Sequence, residues 1–182
     1  KYDAWLMTDD AHGLGVVGGG RGSAFASGRK VAVHLQMGTL SKAVGGYGAY
    51  ICASKPVIDF IKTRARTLIY STGLPPASVA AAIAAVDIIA SDPDLTAQPM
   101  QKAQTFTRRL NLPLAESAIV PIVIGDAVKT LEASRLLEDE GFLVAPIRPP
   151  TVPAKTARLR VAFTAAHPDE EIIVLAGEQR RI

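Results

Sequence analysis

The chain has 182 residues, of which 48% are hydrophobic and 20% are charged. This composition excludes a disordered chain, which lacks the apolar residues needed to bury a core. The 20 basic and 17 acidic residues leave a net charge of only +3 and are scattered, so we expect no nucleic-acid partner. The single cysteine, Cys52, excludes an internal disulfide framework and fits a reducing, cytoplasmic compartment.

No segment of the sequence predicts a signal peptide or a membrane span. The longest apolar run, residues 77–90, is interrupted by Ser78 and Asp87 and is shorter than the ~20 residues that a span needs. We therefore expect no membrane partner. The chain begins at Lys1 without an initiator methionine and enters a strand-like segment at once, which indicates a piece of a larger protein.

Three short apolar runs in the first half predict β-strands, at residues 4–8, 31–35 and 50–53. A glycine-rich loop follows the first run over residues 9–22. Residues 37–43, which follow the second run, are predicted to form a polar turn in apolar surroundings. Two segments rich in polar residues and glycine therefore come directly after predicted strands.

Two helices are predicted in the first half. Ser54 is typical of an N-cap and Pro56 is tolerated in a first turn, so a helix is expected to run to about Arg66. A turn-rich break over residues 70–76 precedes the alanine-rich residues 77–90. Because this last segment is apolar nearly all round, we expect a helix that is buried or that bridges.

Helices and strands alternate in the second half. The predicted elements are helices over residues 98–110, 127–140 and from Pro168 onward, and strands over 119–124, 142–145 and 157–163. Gly141 is expected to cap its helix in a left-handed conformation, and the proline-rich residues 148–153 to form a stiff loop. The alternation predicts an α/β protein, and the change of composition after Ala90 places a domain boundary near residue 95.

Residues 13–18, GLGVVG, match the glycine fingerprint of dinucleotide-binding proteins and follow a predicted strand. The fingerprint also needs a helix at its end, and the glycines at residues 18–20 oppose one because each costs about 1 kcal/mol there. No acidic residue stands near residues 35–38, where the ribose would need one. We therefore expect no nucleotide site, and no P-loop motif occurs.

Two acids and a histidine follow the first predicted strand: Asp9, Asp10 and His12. The other histidines, His34 and His167, do not have the spacing of metal ligands, so we expect no metal site. A carboxylate that leaves a buried strand is costly unless a positive group meets it. Either a side chain or a cofactor is expected to supply that charge, while a purely structural His12 stays an alternative.

A lysine, Lys42, follows the second predicted strand among small and apolar residues. Lysine is most often a surface residue with a solvated ammonium group, and this alternative stays open. The functional alternative is a lysine whose amine attacks a carbonyl and forms a Schiff base. The glycines at positions 45, 46 and 48 would let the backbone pass close to a cofactor.

Together these residues match the needs of pyridoxal phosphate chemistry. Such an enzyme uses a lysine to bind the cofactor, an acid to keep the ring nitrogen protonated, and hydroxyl or amide donors for the phosphate. An acid at a strand end, a histidine three residues later and a Thr-x-x-Lys segment further on supply several of these parts.

Several motifs, in order along the chain, resemble the α-oxoamine synthases, which are pyridoxal phosphate enzymes of the aspartate aminotransferase fold type. The motifs are DDAHGLG at 9–15, GRGS at 20–23, GTLSKA at 38–43, YSTGLPP at 70–76, RPPTVP at 148–153 and TARLR at 156–160. The resemblance implies the C-terminal part of a fold-type I α/β enzyme. Residues 1–95 would form part of a large, mostly parallel-sheet domain with the Schiff-base lysine, and residues 96–182 a small α/β domain.

The resemblance implies a cofactor site, residue by residue. Lys42 would form the Schiff base, and Asp9 would pair with the pyridinium nitrogen. His12 would hydrogen-bond the phenolic oxygen of the ring, and Thr39 would donate to the phosphate. These four residues are therefore the candidates for catalysis and for binding pyridoxal phosphate.

The resemblance also implies contributions from later segments. Thr72, assisted by Ser71, would reach the phosphate in the partner subunit of a homodimer with shared active sites. Arg160 would hold the carboxylate of the amino-acid substrate, for which a bidentate guanidinium is suited. Thr151 would lie on a loop that closes over the site. Three further charged residues are candidates for the site, although structural ion pairs would explain their presence equally well: Asp10, Arg148 and Arg158.

The implied reaction is a decarboxylating condensation of an amino acid with an acyl thioester. The DDAHGLG and RPPTVP motifs, with ARLR, are typical of the biotin-synthesis branch, in which L-alanine reacts with pimeloyl-CoA or pimeloyl-acyl-carrier protein. The alternatives within the family are the 2-amino-3-ketobutyrate ligase and 5-aminolevulinate synthase types. Charge stabilisation by the protonated ring nitrogen is the implied source of catalysis.

Members of the family are about twice as long as this chain. The remaining part would carry a histidine that stacks on the cofactor ring, a glycine-rich phosphate loop and part of the acyl-thioester site. We therefore expect the 182-residue chain alone to be inactive or nearly so. Two alternatives come from other classes: a non-catalytic fragment that binds the cofactor or scaffolds a dimer, and an α/β binding domain that uses the glycine loop.

Overall fold

The computed structural model describes residues 3–179, which form two compact units. One unit ends at Ala97 and the other begins at Gln98. None of the helices in this range is long and apolar enough to cross a membrane. The assignment of the two units to a large and a small domain stays a prediction.

A three-stranded sheet organises the first unit. Its strands are β1 (Met7–Asp9), β2 (Leu35–Thr39) and β3 (Ala49–Ala53), and they lie in that order. β1 and β2 are parallel, whereas β2 and β3 are antiparallel. Asp9 stands opposite Met37, so the carboxyl ends of β1 and β2 lie side by side at one end of the sheet.

The second strand lies later in the chain than the sequence predicts. The strand expected over residues 31–35 is wrong in its position, and the turn expected over 37–43 begins only after Thr39, because β2 runs from Leu35 to Thr39. Gly38 belongs to the strand and pairs with Tyr50 of β3. A β-carbon at position 38 would lie only 2.5 Å from the Tyr50 hydroxyl oxygen. Packing against β3 therefore requires the glycine that the local pattern indicates as a turn residue.

Three helices follow the sheet: α1 (Lys55–Arg64), α2 (Arg66–Ile69) and α3 (Pro76–Ser91). Pro56 lies in the first turn of α1, as predicted, where the amide that proline lacks would have no partner. The helix predicted to run on to residue 66 is interrupted at Ala65, whose extended backbone (ψ 99°) separates α1 from α2.

The alanine-rich helix is confirmed as α3, but its predicted burial is wrong. Ala82 is the only buried residue that the structure describes in this helix. Ile83 is 59% exposed, and Val79 and Val86, one turn away on the same side, are 40% and 43% exposed. These three residues form an uncovered apolar row, called the α3 stripe below.

The remaining elements are α4 (Pro93–Arg109), β4 (Ile119–Gly125), α5 (Ala127–Asp139), β5 (Ala145–Ile147), β6 (Ala157–Ala162) and α6 (Asp169–Gln179). The strands form an antiparallel sheet in the order β4-β6-β5. α4 begins earlier than predicted because the Asp92 carboxylate caps it, accepting a hydrogen bond from the Leu95 amide at 2.9 Å. The strand predicted over 142–145 begins only at residue 145, because the Phe142 amide still donates to the Leu137 carbonyl of α5.

The core of the second unit is a contiguous apolar cluster between its helices and its sheet. Phe106 of α4, Leu137 of α5 and Leu159 of β6 are fully buried in it. The rings of Phe106 and Phe163 pack with centroids 5.2 Å apart at an interplanar angle of 52°, a geometry that aromatic pairs favour. The predicted alternation of β6 places its apolar residues on this core.

Both ends of α5 are capped, and the sequence predicts the cap at the C-terminal end only. The Asp126 carboxylate accepts hydrogen bonds from the amides of Val128 and Lys129, each at 2.9 Å. Gly141, just past the helix end, has a φ of 89°, which confirms the predicted left-handed cap region.

Candidate active site

Thr39 and Lys42 lie beside each other where β2 ends. Thr39 is the last residue of the strand, and the Lys42 Nζ donates a hydrogen bond to its Oγ1 at 3.2 Å. The turn between strands is closed by backbone hydrogen bonds from the Leu40 amide to the Gly48 carbonyl and from the Gly46 amide to the Leu40 carbonyl. The two side chains therefore form one polar pair on a hydrogen-bonded turn.

Asp9 and His12 belong to the same end of the sheet. Asp9 is the last residue of β1 and stands opposite Met37, two residues before Thr39. Its side chain is exposed, and its Oδ1 accepts a hydrogen bond from the Ala11 amide at 2.9 Å. His12, also exposed, lies in the turn that follows. A carboxylate, an imidazole, a hydroxyl and an amine thus lie at or just beyond the ends of two parallel strands, where ligands bind in open α/β sheets.

The Lys42 side chain is exposed, although its sequence neighbours are small and apolar. Within the part of the chain that the structure describes, its amine contacts the Thr39 hydroxyl and no carboxylate. The exposed position agrees with the alternative of a solvated surface lysine, whereas the hydrogen bond to Thr39 is a contact that a binding site would add. An exposed amine of this kind can be reached by a carbonyl compound from solvent.

Asp10 differs from its neighbour Asp9 because it is buried, with only 3% of its surface exposed. Its Oδ1 accepts a hydrogen bond from the Ser23 amide at 2.6 Å, and its Oδ2 lies 3.4 Å from the Thr8 hydroxyl oxygen. Such hydrogen bonds offset part of the cost of burying a carboxylate. The sequence pattern cannot tell these two acids apart, since it does not show which one faces the interior.

The buried charge of Asp10 also affects the pKa of Tyr50 on β3. Burial raises the pKa of the Tyr50 phenol above its usual value. The negative charges of Asp10 and Cys52 raise this pKa further, because each opposes ionisation of the phenol. The Asp10 carboxylate therefore acts electrostatically on the far strand of the sheet as well as on its own loop.

The glycine loop of residues 13–22 folds back on itself. Leu14 and Arg21 form an antiparallel bridge, and a short 3-10 turn, Ser23–Phe25, follows. A dinucleotide fingerprint opens an α-helix, and the structure confirms the prediction that no α-helix begins at these glycines. Across residues 3–179 no group of three or more histidine, cysteine, aspartate or glutamate residues is placed to hold a metal ion.

Ser71 and Thr72 lie in the exposed segment between α2 and α3. The Ser71 hydroxyl donates to the Thr67 carbonyl, one helical turn earlier. Among the described contacts, neither hydroxyl reaches Lys42. Their predicted role at a phosphate of a partner subunit stays a prediction.

Arg160, in the second unit, lies in the middle of β6 opposite Pro121 of β4 and Ala145 of β5. Its side chain is exposed, and it lines an open cleft together with Arg135 and Glu138 of α5. Arg135 is not predicted from the sequence, because a basic residue on an amphipathic helix is usually a solvated one. The only available signal was its place in a helix that packs on the strand of Arg160.

Thr151 lies in the predicted proline-rich loop, and its amide donates to the Arg148 carbonyl at 3.0 Å. The Arg158 Nε donates to the Thr156 carbonyl at 2.9 Å. Arg158 thus supports the backbone just before β6, which gives it a structural role through a hydrogen bond. The side chains of Thr151 and Arg148 are exposed.

Comparison with known proteins supplies a family. The model of the family described as aminotransferase class I and II matches residues 1–178. A relative from Methylocella silvestris named 8-amino-7-oxononanoate synthase is 63% identical, covering all of this chain and 51% of the relative. One of the same name from Beijerinckia indica is 61% identical, covering 96% of this chain and 45% of the relative.

A solved structure supports the same fold. Serine palmitoyltransferase from S. paucimobilis, solved with a bound PLP–myriocin aldimine, superposes with a TM-score of 0.90 at 26% identity, over 98% of this chain and 47% of that one. These matches confirm the resemblance and the α/β fold that the motifs implied. The chain spans about half the length of the curated relatives it matches.

Proposed function

The chain belongs to the aminotransferase class I and II family, and on this basis we propose that it is part of an 8-amino-7-oxononanoate synthase, a pyridoxal phosphate-dependent acyltransferase of biotin biosynthesis. In the proposed reaction the α-carbon of L-alanine bonds to the acyl carbon of a pimeloyl thioester. The carbon–sulfur bond breaks and frees the thiol of coenzyme A or acyl-carrier protein. The alanine carboxyl group leaves as carbon dioxide, and the product is 8-amino-7-oxononanoate.

The observation that carries this proposal is the set of polar side chains at the ends of β1 and β2. The exposed Lys42 amine lies 3.2 Å from the Thr39 hydroxyl, and the exposed Asp9 carboxylate ends the neighbouring strand. Pyridoxal phosphate carries an aldehyde for an amine, a ring nitrogen for a carboxylate and a phosphate for hydroxyl donors. The chemistry of these three side chains therefore fits that cofactor.

Each residue at this end of the sheet has a proposed task. The cofactor, when bound, supplies an electron sink that stabilises negative charge at the substrate α-carbon. Lys42 would hold the cofactor covalently and, once the amino acid displaces it, remove the α-proton. The Asp9 charge would keep the ring nitrogen protonated. His12 would donate to the phenolic oxygen of the ring, and Thr39 to the phosphate.

Other residues are proposed to complete the site. Thr72, with Ser71, would bind the phosphate held by the partner subunit of a homodimer. Arg160 would hold the substrate carboxylate, because a planar guanidinium binds both of its oxygens. The cleft that Arg160 shares with Arg135 supports this role, since two arginines and one acid, Glu138, line it. Thr151 would close over the substrate with its loop.

The proposal extends to the setting in which the enzyme works. The single cysteine supports a reducing, cytoplasmic location. Because the chain spans about half the length of its relatives, we expect it to be inactive or nearly so by itself. The likeness to a serine palmitoyltransferase makes the choice between L-alanine, glycine and L-serine the first point of specificity to test.

An absorbance spectrum of the purified chain with pyridoxal phosphate, before and after L-alanine, tests the proposal. We expect a visible band that changes when L-alanine is added, and we expect Lys42→Ala to abolish it. Lys55→Ala, which removes an exposed lysine from α1 in the same unit, should keep the band. A band that survives Lys42→Ala would show that Lys42 is not the anchor.

The same spectra, and the release of carbon dioxide from the amino acid in the presence of pimeloyl-CoA, are then measured on the full-length gene product that carries this sequence. Turnover with L-alanine that exceeds turnover with glycine or L-serine is the expected result. Failure of both proteins to bind the cofactor would refute the proposed function. Turnover by the 182-residue chain alone would refute the expected inactivity of the fragment.

A further inference from the structure

We propose that Asp10 is a positioning residue for the candidate active site: its buried carboxylate holds the loop of residues 11–22, which contains His12, against the end of β1, where Asp9 lies. The role at the cofactor rests on the proposed function. The role as a clamp of the loop does not, and it can be tested without any cofactor.

The carboxylate joins segments that are distant in sequence. Its Oδ1 accepts a 2.6 Å hydrogen bond from the amide of Ser23, which follows the loop, and its Oδ2 lies 3.4 Å from the Thr8 hydroxyl oxygen on β1. One side chain therefore connects the strand before the loop to the residue after it. In the sequence, Asp9 comes directly before Asp10, and His12 comes two residues after it.

The backbone of Asp10 adds a second set of restraints. Its amide donates to the Met37 carbonyl of β2 at 2.7 Å, and its carbonyl accepts from the amides of Gly13 and Leu14 at 3.0 and 3.1 Å. The same residue thus fixes the end of β1 against β2 and the first turn of the loop. His12 lies inside that turn.

The loop is also built around the carboxylate sterically. A β-carbon at Gly13 would overlap the Asp10 Oδ1, and one at Gly22 would lie 2.9 Å from the Asp10 Cγ. Gly22 has a φ of 92°, a backbone conformation that other residues rarely adopt. The two ends of the loop therefore close on Asp10 from both sides, and only glycine leaves room for it.

A charged group is an expensive choice for packing alone. Asp10 is the only charged side chain that is buried among residues 3–179, and an apolar residue would fill the same space without the cost of removing a charge from water. What a carboxylate adds is acceptors for both the Ser23 amide and the Thr8 hydroxyl. Its placement next to the proposed cofactor ligands indicates that this rigidity serves the site.

The clamp is tested first by hydrogen exchange on the cofactor-free chain. We expect Asp10→Ala to speed exchange of the loop amides by about tenfold or more, because the Ser23 amide loses its acceptor. Asp10→Asn keeps an acceptor oxygen and should retain most of the protection. Asp59→Ala, which removes an exposed acid from α1, is the matched control and should leave the loop unchanged. Unchanged exchange in Asp10→Ala would overturn the clamp.

The positioning role is tested on the full-length gene product with pyridoxal phosphate. In Asp10→Ala we expect the dissociation constant of the cofactor to rise about tenfold or more and the ratio of its absorbance bands to change, with rescue by Asp10→Asn. A merely structural residue would lower stability and leave both readings as in the wild type, and that result would overturn the positioning role. If the wild type binds no cofactor, the proposed function fails, while the exchange data still decide whether Asp10 clamps the loop.

Discussion

The interactions that stabilise the interior of each unit differ between the two units of the chain. Among the described residues, the first unit buries only three hydrophobic side chains, all of them small: Ala24, Val44 and Ala82. The second unit buries a continuous core that includes Phe106, Leu137, Leu159 and Phe163. The unit with the proposed cofactor residues thus depends on hydrogen bonds and close backbone packing, and the other depends on apolar burial.

The candidate site lies in the unit that depends on directional contacts. Apolar burial is not directional and depends on how well the interior is filled, whereas a hydrogen bond depends on the distance and angle between two named atoms. The Ser23 amide on the Asp10 carboxylate and the Lys42 amine on the Thr39 hydroxyl are contacts of the second kind. Substitutions in the two units should therefore cost stability for different reasons.

The largest loss of stability is expected from Leu137→Ala in the second unit. Leu137 is fully buried, so removing three carbons should leave a cavity and cost about 2–5 kcal/mol of the free energy of unfolding. Leu136→Ala, next to it on α5 and 56% exposed, should cost no more than about 0.5 kcal/mol. Urea denaturation followed by far-UV circular dichroism measures both, and equal costs would contradict a core centred on Leu137.

A smaller loss, of about 2 kcal/mol, is expected from Gly22→Ala in the first unit. The new β-carbon would meet the Asp10 carboxylate and would also be strained by the positive φ. Gly28→Ala has a similar φ of 78° but no atom within 4 Å, so strain alone should cost about 1 kcal/mol. Urea denaturation followed by Trp5 fluorescence, which reports on this unit, should separate the two variants. Identical costs would mean that contact with Asp10 contributes nothing.

The smallest effect is expected on the α3 stripe. Ile83→Ala should change the free energy of unfolding by no more than about 0.5 kcal/mol, because the side chain is 59% exposed. Ile172→Ala, the same change at a 4% exposed position of α6, should cost about 2–5 kcal/mol. Denaturation of the two variants under one set of conditions sharpens the contrast between the units. A large loss at Ile83 would show that the stripe is covered in solution.

Sequence patterns predict well the parts of this fold that local chemistry decides. The alanine-rich helix α3 and the cap glycine Gly141 each depend on residues within a few positions, so the sequence predicts both. The Asp126 cap of α5 is equally local, although no prediction named it. The contact between Thr39 and Lys42 is also local, because only three residues separate them, although the sequence analysis did not predict that their side chains meet.

The parts that depend on distant residues could not be predicted. Gly38 lies in a strand because Tyr50, twelve residues later, packs over it, and no local pattern contains that contact. The contrast between the exposed Asp9 and the buried Asp10 depends on Ser23, thirteen residues away. The error over the burial of α3 has another cause, since the composition of a helix does not say what covers it.

The α3 stripe also has a consequence for the water around it. Val79, Ile83 and Val86 present apolar surface whose hydration becomes less favourable when sulfate salts are added and less unfavourable on cooling. The solubility of the chain should therefore fall in ammonium sulfate earlier than its net charge of +3 alone would suggest, and cold buffers should keep it dispersed. Association of chains through the α3 stripe would therefore release water from apolar surface.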